Sequence, residues 1–439
     1  MKRFFETLAN IWKIPDLKRR ILFTLFIFVI YRLGGHIPLP GVSIKTLASM
    51  HGTAGGGLMS LYDLFVGGAL RRAAIFATGI MPYITASIIL QLLGAVIPYF
   101  QQLQRMGEEG RRKINQYTRY GALLIAAMQG WGILVYLHKN FSPAIHLSPT
   151  SFMILGVISL TTGAAIIMWL GELITERGIG NGMSLLILVG IVARIPNAMI
   201  VEIQNLIYHG AGGGRSIFEE LVIIAAIVVF TVLAILLTQG TRNIPVQYAR
   251  RVVGRKVYGG QSANLPIKIN AAGVIPIIFA QAVLFLPQTL ARILPEGSFS
   301  MALSHMFNYS SFIYNLIYGA LIVFFAYFYT AVIFNPVDVA DNLRKYGGFI
   351  PGRRPGPQTS QYIDRVLTRV TLPGAIGLAL IAILPAFLIR TTGFAFWFGG
   401  TSLLIIVGVV LDTLQQIETH LLMRHYEGFM KAGRIRGRR

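Results

Sequence analysis

The chain contains no cysteine among its 439 residues. Neither a disulfide framework nor thiolate chemistry therefore belongs to it. Acidic residues are scarce: 17 Asp and Glu stand against 39 Lys and Arg, for a net charge of +22. A Walker-type phosphate loop is missing, which excludes nucleotide hydrolysis by that route, and so is any HExxH or similar metal spacing. The histidines, at 36, 51, 138, 146, 209, 305, 420 and 425, lie near the ends of apolar runs or in loops and form no proton relay. No catalytic residue, metal ligand set or cofactor is expected, and the chain does not read as an enzyme.

Apolar surface is what the chain has in excess. It is 54% hydrophobic and only 13% charged, with a mean hydropathy of +0.63. A soluble protein of this length could not hide so much. Ten apolar stretches, at roughly 21–38, 73–98, 120–138, 152–172, 183–201, 218–238, 270–291, 310–334, 370–389 and 397–419, approach or exceed the ~20 residues a bilayer core requires. Most of the cations fall in one alternate set of loops, which places both termini in the cytoplasm. The largest basic loops follow the sixth and eighth spans, at 239–269 and 335–369. Their charge has two readings: topology alone, or topology together with the docking of a polyanionic partner. Lys18-Arg19-Arg20 precedes the first span as in a signal peptide. That span is long, has no small-x-small cleavage site and is followed by nine more, so it reads as a retained helix.

The span interiors hold almost no charge. Asp412 is the main exception, toward a cytoplasmic end, and Glu172, Glu176 and Arg177 read as a local ion-pair group at a helix end. An ion-coupled carrier needs a titratable midplane site, so this scarcity argues against a secondary transporter. Uncharged amides occur instead: Gln91, Gln129 and Gln281 lie in spans two, three and seven. Such amides join membrane helices at about 0.6 kcal/mol per contact, with ~1.7 as a ceiling.

Two internal echoes stand five spans apart. Gly79-Ile80-Met81-Pro82-Tyr83-Ile84 resembles Gly273-Val274-Ile275-Pro276-Ile277-Ile278. Gly182-Met183-Ser184-Leu185-Leu186-Ile187 resembles Gly400-Thr401-Ser402-Leu403-Leu404-Ile405. They suggest an all-α membrane protein of ten transmembrane helices in two five-helix halves, 1–205 and 206–439. Five is odd, so the halves run in opposite orientation, and the working site lies between them. The segment Gly52 to Arg72 does not fit the span count. Its apolar run, about 57–68, is too short to cross, and reads as an interfacial loop or as a re-entrant element in a protein-lined cavity.

Several stretches carry a resemblance that covers nearly the whole chain. They are Phe76-Ala77-Thr78-Gly79-Ile80-Met81-Pro82-Tyr83-Ile84, the run Gly110 to Tyr120, Ile174-Thr175-Glu176-Arg177-Gly178-Ile179-Gly180-Asn181-Gly182, the run Leu265 to Asn270, Gly348-Phe349-Ile350-Pro351-Gly352-Arg353-Arg354-Pro355-Gly356, and the run Phe398 to Ile405. In these the chain resembles the SecY family, the channel subunits of bacterial protein translocons. The resemblance implies an hourglass pore around a waist ring of Ile80, Ile84, Met183, Ile187, Ile278 and Ile405. The family usually has isoleucine where this chain has Met183, and methionine is adaptable enough to keep a seal. An apolar waist dewets and blocks ions without a charged gate.

The resemblance also makes the 58–68 segment a plug, with Leu58, Met59, Leu61, Tyr62, Leu64 and Phe65. It puts a gate to lipid between spans two and three on one side and seven and eight on the other, with Ser87, Gln91, Gln129, Gln281 and Ala282. Arg250, Arg251, Arg255 and Lys256, interleaved with Tyr248 and Tyr258, and then Arg353 and Arg354, become the docking surface for the ribosome and the SecA motor. Arginine and lysine contact phosphates, and aromatics stack on unpaired bases. Arg354 matches the family arginine on which motor coupling depends. SecE and SecG subunits, secretory and membrane-protein clients, the lipid bilayer and a bacterial inner-membrane location are implied as well. A membrane enzyme is the third reading, and it lacks a catalytic constellation.

Overall fold

The computed structural model describes residues 14–47, 49, 63, 65–207, 217–248, 251–253, 256–258, 262–293, 297, 306–307, 311–392 and 400–432. The chain is mostly helical. Among the described residues, seven helices are long and apolar enough to cross a membrane, or up to eight if a bent pair counts as one span. They belong to two compact units. Unit 1 comprises Met1–Val201, Phe285–Tyr309 and Val409–Arg439; unit 2 comprises Glu202–Leu284 and Ser310–Gly408.

In unit 1, α1 (Pro15–Gly34) carries the first expected span. Its lysine and arginines keep it outside the seven. The second expected span, 73–98, is helical only from Met81; residues 66–80 form a chain of turns instead. Gly79 explains the late start. Its φ of +57° is open to glycine and strained for other residues. Pro82, at the second helical position, needs no backbone donor there. α2 (Met81–Val96) then meets α3 (Pro98–Arg105) at a bend of 99°. Ile97, held extended by the proline after it, makes the break.

α4 (Glu108–Asn140) and α5 (Pro149–Arg177) pack as neighbours and are longer than a bilayer requires. At 1.5 Å per residue the 33 residues of α4 reach about 50 Å against a core of about 30 Å. Their basic ends therefore stand in the aqueous phase. Arg119 of α4 and Glu172 of α5 form a two-pronged pair there, Nε to Oε1 and Nη2 to Oε2, each 2.8 Å. This corrects the expectation of a pairing local to 172–177: Glu172 joins two helices. α6 (Gly182–Val192) and α7 (Ile195–Ile207) follow.

Unit 2 takes in the end of α7 and all of α8 (Ile217–Gln239), whose Leu221, Ile224, Val228, Val232 and Leu236 all lie exposed. Such a helix suits hydrocarbon surroundings, because its backbone bonds are satisfied within itself. The loop after it is not irregular. β1 (Thr241–Tyr248), β2 (Arg251–Val253), β3 (Lys256–Tyr258) and β4 (Ser262–Lys268) form there. β1 pairs antiparallel with β4 from Thr241 opposite Lys268 to Gln247 opposite Ser262.

Next come α9 (Ile275–Ile293), which leaves unit 2 after Leu284, α10 (Phe312–Ile333) and α11 (Pro336–Lys345). β5 (Gly348–Phe349), from the loop after the eighth span, adds to the other edge of β1, giving the order β4-β1-β5. The expectation of an all-α chain is thus corrected in its two basic loops. Alternation is the cause: Ile244 and Val246 turn inward while Asn243, Pro245 and Gln247 stay exposed. The inward side chains join Ile267, Ile350, Ile363 and Leu367 in a small core. Pro245, with no backbone donor, lies beyond the reach of β5 and disturbs no pairing on that edge.

α12 (Pro357–Thr392) supplies Ile363 and Leu367 of that core before it continues as the ninth expected span. α13 (Gly400–Ala432) closes the series; its start lies in unit 2 and its remainder in unit 1.

Candidate functional site

The first echo has the same backbone at both of its copies. Gly79 and Gly273 have φ of +57° and +62°. In unit 1, Tyr83 and Ile84 both donate their amides to the Ile80 carbonyl, at 3.1 and 3.2 Å. In unit 2, Ile277 and Ile278 do the same to the Val274 carbonyl, at 3.2 and 3.3 Å. A left-handed glycine, a one-residue step and a helix with proline second thus present Ile84 and Ile278 at equivalent places. Both are buried, as is Ile80.

The second echo also has matching entries. Gly182 opens α6 against the Gly171 carbonyl, and Gly400 opens α13 against the Ile381 carbonyl, each so close that a Cβ would collide. Asn181 caps α6, its Oδ1 accepting from the amides of Met183 (3.1 Å) and Ser184 (3.3 Å). Ile187 is buried one turn later, and Ile405 is fully buried on α13. Met183 is half-buried. Its sulfur lies over Gly171 of α5, and it packs against the cluster of Ala86, Ala122 and Met168.

Within unit 1 the structure therefore buries Ile80, Ile84 and Ile187, and within unit 2 Ile278 and Ile405. None of the six side chains is titratable, and only the Met183 thioether, a weak acceptor, can take part in a hydrogen bond. Of the plug residues, Leu58, Met59, Leu61, Tyr62 and Leu64 lie outside the described residues; Phe65 is described and buried.

Among the described residues the expected gate amides are incompletely bonded: Gln129 is buried, while Gln91 and Gln281 are half-buried with a buried amide oxygen. Gln91 donates from Nε2 to Ser87 Oγ on its own helix, at 3.1 Å, and its Oε1 has no partner. Gln129 is 2% exposed, and neither of its amide atoms has one. Gln281 Oε1 is likewise unpaired, beside the buried Ala282. An unbonded buried polar group costs about 1–3 kcal/mol, so these positions favour any arrangement that supplies a partner.

Among the docking cations, Arg250 and Arg255 lie outside the described residues. Arg251 and Lys256 stand on the β2–β3 hairpin, Arg251 opposite Tyr258 and Lys256 opposite Val253. Arg353 and Arg354 are exposed on the tip between β5 and α12. The Arg353 guanidinium sits 5.3 Å from the centre of the Tyr362 ring. The Arg354 carbonyl accepts a bond from Thr359 Oγ1 at 2.8 Å. The pairing of β1 with β5 brings the two basic loops onto one sheet, which sequence reading missed.

Sequence reading also missed a charged cluster in unit 1. Asp63, 0% exposed, lies against Arg71 and Arg194, with Arg32 and Arg72 close by. Burial and the neighbouring Arg32 lower the pKa of Arg72, while Asp63 acts in the opposite direction. The available signal was a lone carboxylate in an apolar run, followed by Arg71-Arg72.

Comparison with known proteins bears on the site at this point. The family model SecY matches residues 74–414. The chain is 46% identical to the protein translocase subunit SecY of Thermotoga maritima, over 99% of this chain and 100% of the relative. It is 42% identical to that of Vibrio cholerae, over 97% and 96%. Among solved structures it is similar to a protein-conducting channel, with a TM-score of 0.66 at 18% identity, covering 94% of this chain and 96% of the other. It is also similar to Sec61 in the canine ribosome-channel complex, with a TM-score of 0.62 at 16% identity, over 94% and 96%.

Proposed function

The chain belongs to the SecY family, and from that premise we propose that it is the protein-conducting channel of a bacterial inner membrane. It passes unfolded secretory chains across and releases apolar segments sideways into lipid. The observation that carries this reading is the repeated helix entry at Gly79 and Gly273, with a buried isoleucine five residues after each. That repetition supports ten spans in two opposed halves, 1–205 and 206–439, around one pore with both termini cytoplasmic.

Ile80, Ile84, Met183, Ile187, Ile278 and Ile405 form the waist. Apolar side chains there exclude water and ions yet offer no hydrogen bond to hold a sliding polypeptide. Residues 58–68 are the plug. Pushing a polar chain forward needs an outside motor, which this chain does not contain. SecA and the ribosome dock in turn on the two basic loops, through Arg250, Arg251, Arg255, Lys256, Arg353 and Arg354. SecE and SecG complete the assembly.

Lateral release needs no fuel. Ten Leu-like residues of a signal core favour lipid by roughly 3–6 kcal/mol. Amide contacts of the strength expected for Gln91, Gln129 and Gln281 are small beside that. Cysteines introduced at Ser87 and Ala282 test the gate, because the chain has none of its own. A short cross-linker between them is expected to stop secretion and insertion, and a long one to permit both. Secretion indifferent to cross-linker length overturns the gate.

A further inference from the structure

Arg354 stands on a tip whose backbone is held on several sides while its own side chain lies exposed. The tip, residues 350–359, runs from the end of β5 into the first turn of α12. Its base is anchored in one core. Gly348 pairs with Tyr248, so closely that an added Cβ would lie 3.0 Å from Tyr248 Cε1. Ile350, 3% exposed, enters the core under β1, and the fully buried Ile363 enters it from α12. Both ends of the tip are therefore seated against the same side chains.

Between those ends the path is set by the backbone. Gly352 and Gly356 have φ of +77° and +107°, values open to glycine and strained for other residues. Pro351, Pro355 and Pro357 fix φ at three further positions. The Arg353 amide donates to the Ile350 carbonyl at 3.1 Å, and the Thr359 amide to the Gly356 carbonyl at 3.0 Å. The Arg353 guanidinium is engaged over the Tyr362 ring. One side chain reaches Arg354 itself. Thr359 Oγ1 donates to the Arg354 carbonyl at 2.8 Å, across five residues. Thr359 is 2% exposed, although Pro357 and Gln358 just before it are exposed. Among the described residues the Arg354 guanidinium has no acidic partner.

We propose that Thr359 is a positioning residue for the docking of the motor: its buried hydroxyl fixes the Arg354 backbone, so that the exposed guanidinium leaves the tip at a set place and in a set direction. The inference rests on the reading of Arg354 as the arginine on which motor coupling depends. A backbone ordered before the partner arrives need not be ordered at its arrival, which lowers the cost of docking. Without the bond the tip samples other arrangements. Apparent affinity then falls in proportion to the fraction that remains competent.

The test is signal-dependent export into proteoliposomes that hold the full-length channel with the subunits that purify with it, as purified SecA is titrated. Thr359→Val keeps the shape of the side chain and removes the donor. It is expected to raise the SecA concentration for half-maximal export about fivefold, the scale of one lost hydrogen bond, and to leave the maximal rate unchanged. Thr359→Ser keeps the hydroxyl and is expected to titrate as the native chain does. Thr359→Ala carries the same expectation as the valine variant and replaces it if that variant does not assemble. Failure of both to assemble makes Thr359 a folding element and overturns the proposal. Arg354→Glu separates the two readings. Export abolished in Arg354→Glu beside a native titration in Thr359→Val overturns the positioning role alone. Ordinary export in Arg354→Glu overturns the reading of Arg354 and the positioning role with it. A serine variant as weak as the valine one, or a lowered maximal rate at an unchanged half-maximal concentration, also overturns the positioning role.

Discussion

The proposed waist and the sheet of the two basic loops bury the same residue type, and the proposed reading gives them opposite roles. Ile80, Ile84, Ile187, Ile278 and Ile405 are buried at or near helix starts. Ile244, Ile267, Ile350 and Ile363 are equally buried, but under a sheet whose rim carries exposed arginines. In the sheet the isoleucines are the support, and the polar rim is the proposed working surface. At the proposed waist the apolar side chains themselves would be the working surface. Burial of an isoleucine therefore tells nothing of its role until its surroundings are known.

The sharpest way to break the comparison lies at the rim. Arg354→Glu reverses charge at an exposed position and leaves the core under β1 intact. It is expected to abolish motor-driven export in proteoliposomes while assembly and the resting seal stay normal; ordinary export would detach the sheet from function. The waist should show the converse, with a somewhat smaller effect. Ile84→Ser, Ile187→Ser and Ile278→Ser combined are expected to raise resting ion conductance by about an order of magnitude, since a wetted constriction conducts. Unchanged conductance would place the seal elsewhere. The smallest effect belongs to the hairpin. Ribosome affinity should fall steeply as salt rises, and Arg251→Glu with Lys256→Glu should weaken binding and reduce the slope of log affinity against log salt by about two. A slope that is flat in the native chain leaves those cations with topology alone.

The first echo was legible because its spacing and residue types are local. Glycine is open to the left-handed turn and proline suits the first helical turn, but the helix start itself was not legible: the span expected from 73 is helical only from Met81. The sheet was not legible by the same means. Between long apolar spans, hydropathy marks Thr241–Tyr248 as loop, and its alternation is interrupted by Pro245. Only pairing with β4 and β5 satisfies that strand, and its partners lie as far away as Gly348. The bend after Val96 was hidden for a related reason: hydropathy runs on through Ile97 although Pro98 ends the helix.

What the sequence determined by itself is the environment of each segment. Long apolar runs favour hydrocarbon, because transfer energies add residue by residue along the chain, and the distribution of lysine and arginine carries the proposed orientation. What only the tertiary structure decided is which polar groups meet. Asp63 is 131 positions from Arg194 and 31 from Arg32 by the numbering, and no local pattern couples them. Their cluster exists because packing brings three segments of unit 1 within hydrogen-bond range. There a buried carboxylate is tolerated only where guanidiniums and amides surround it.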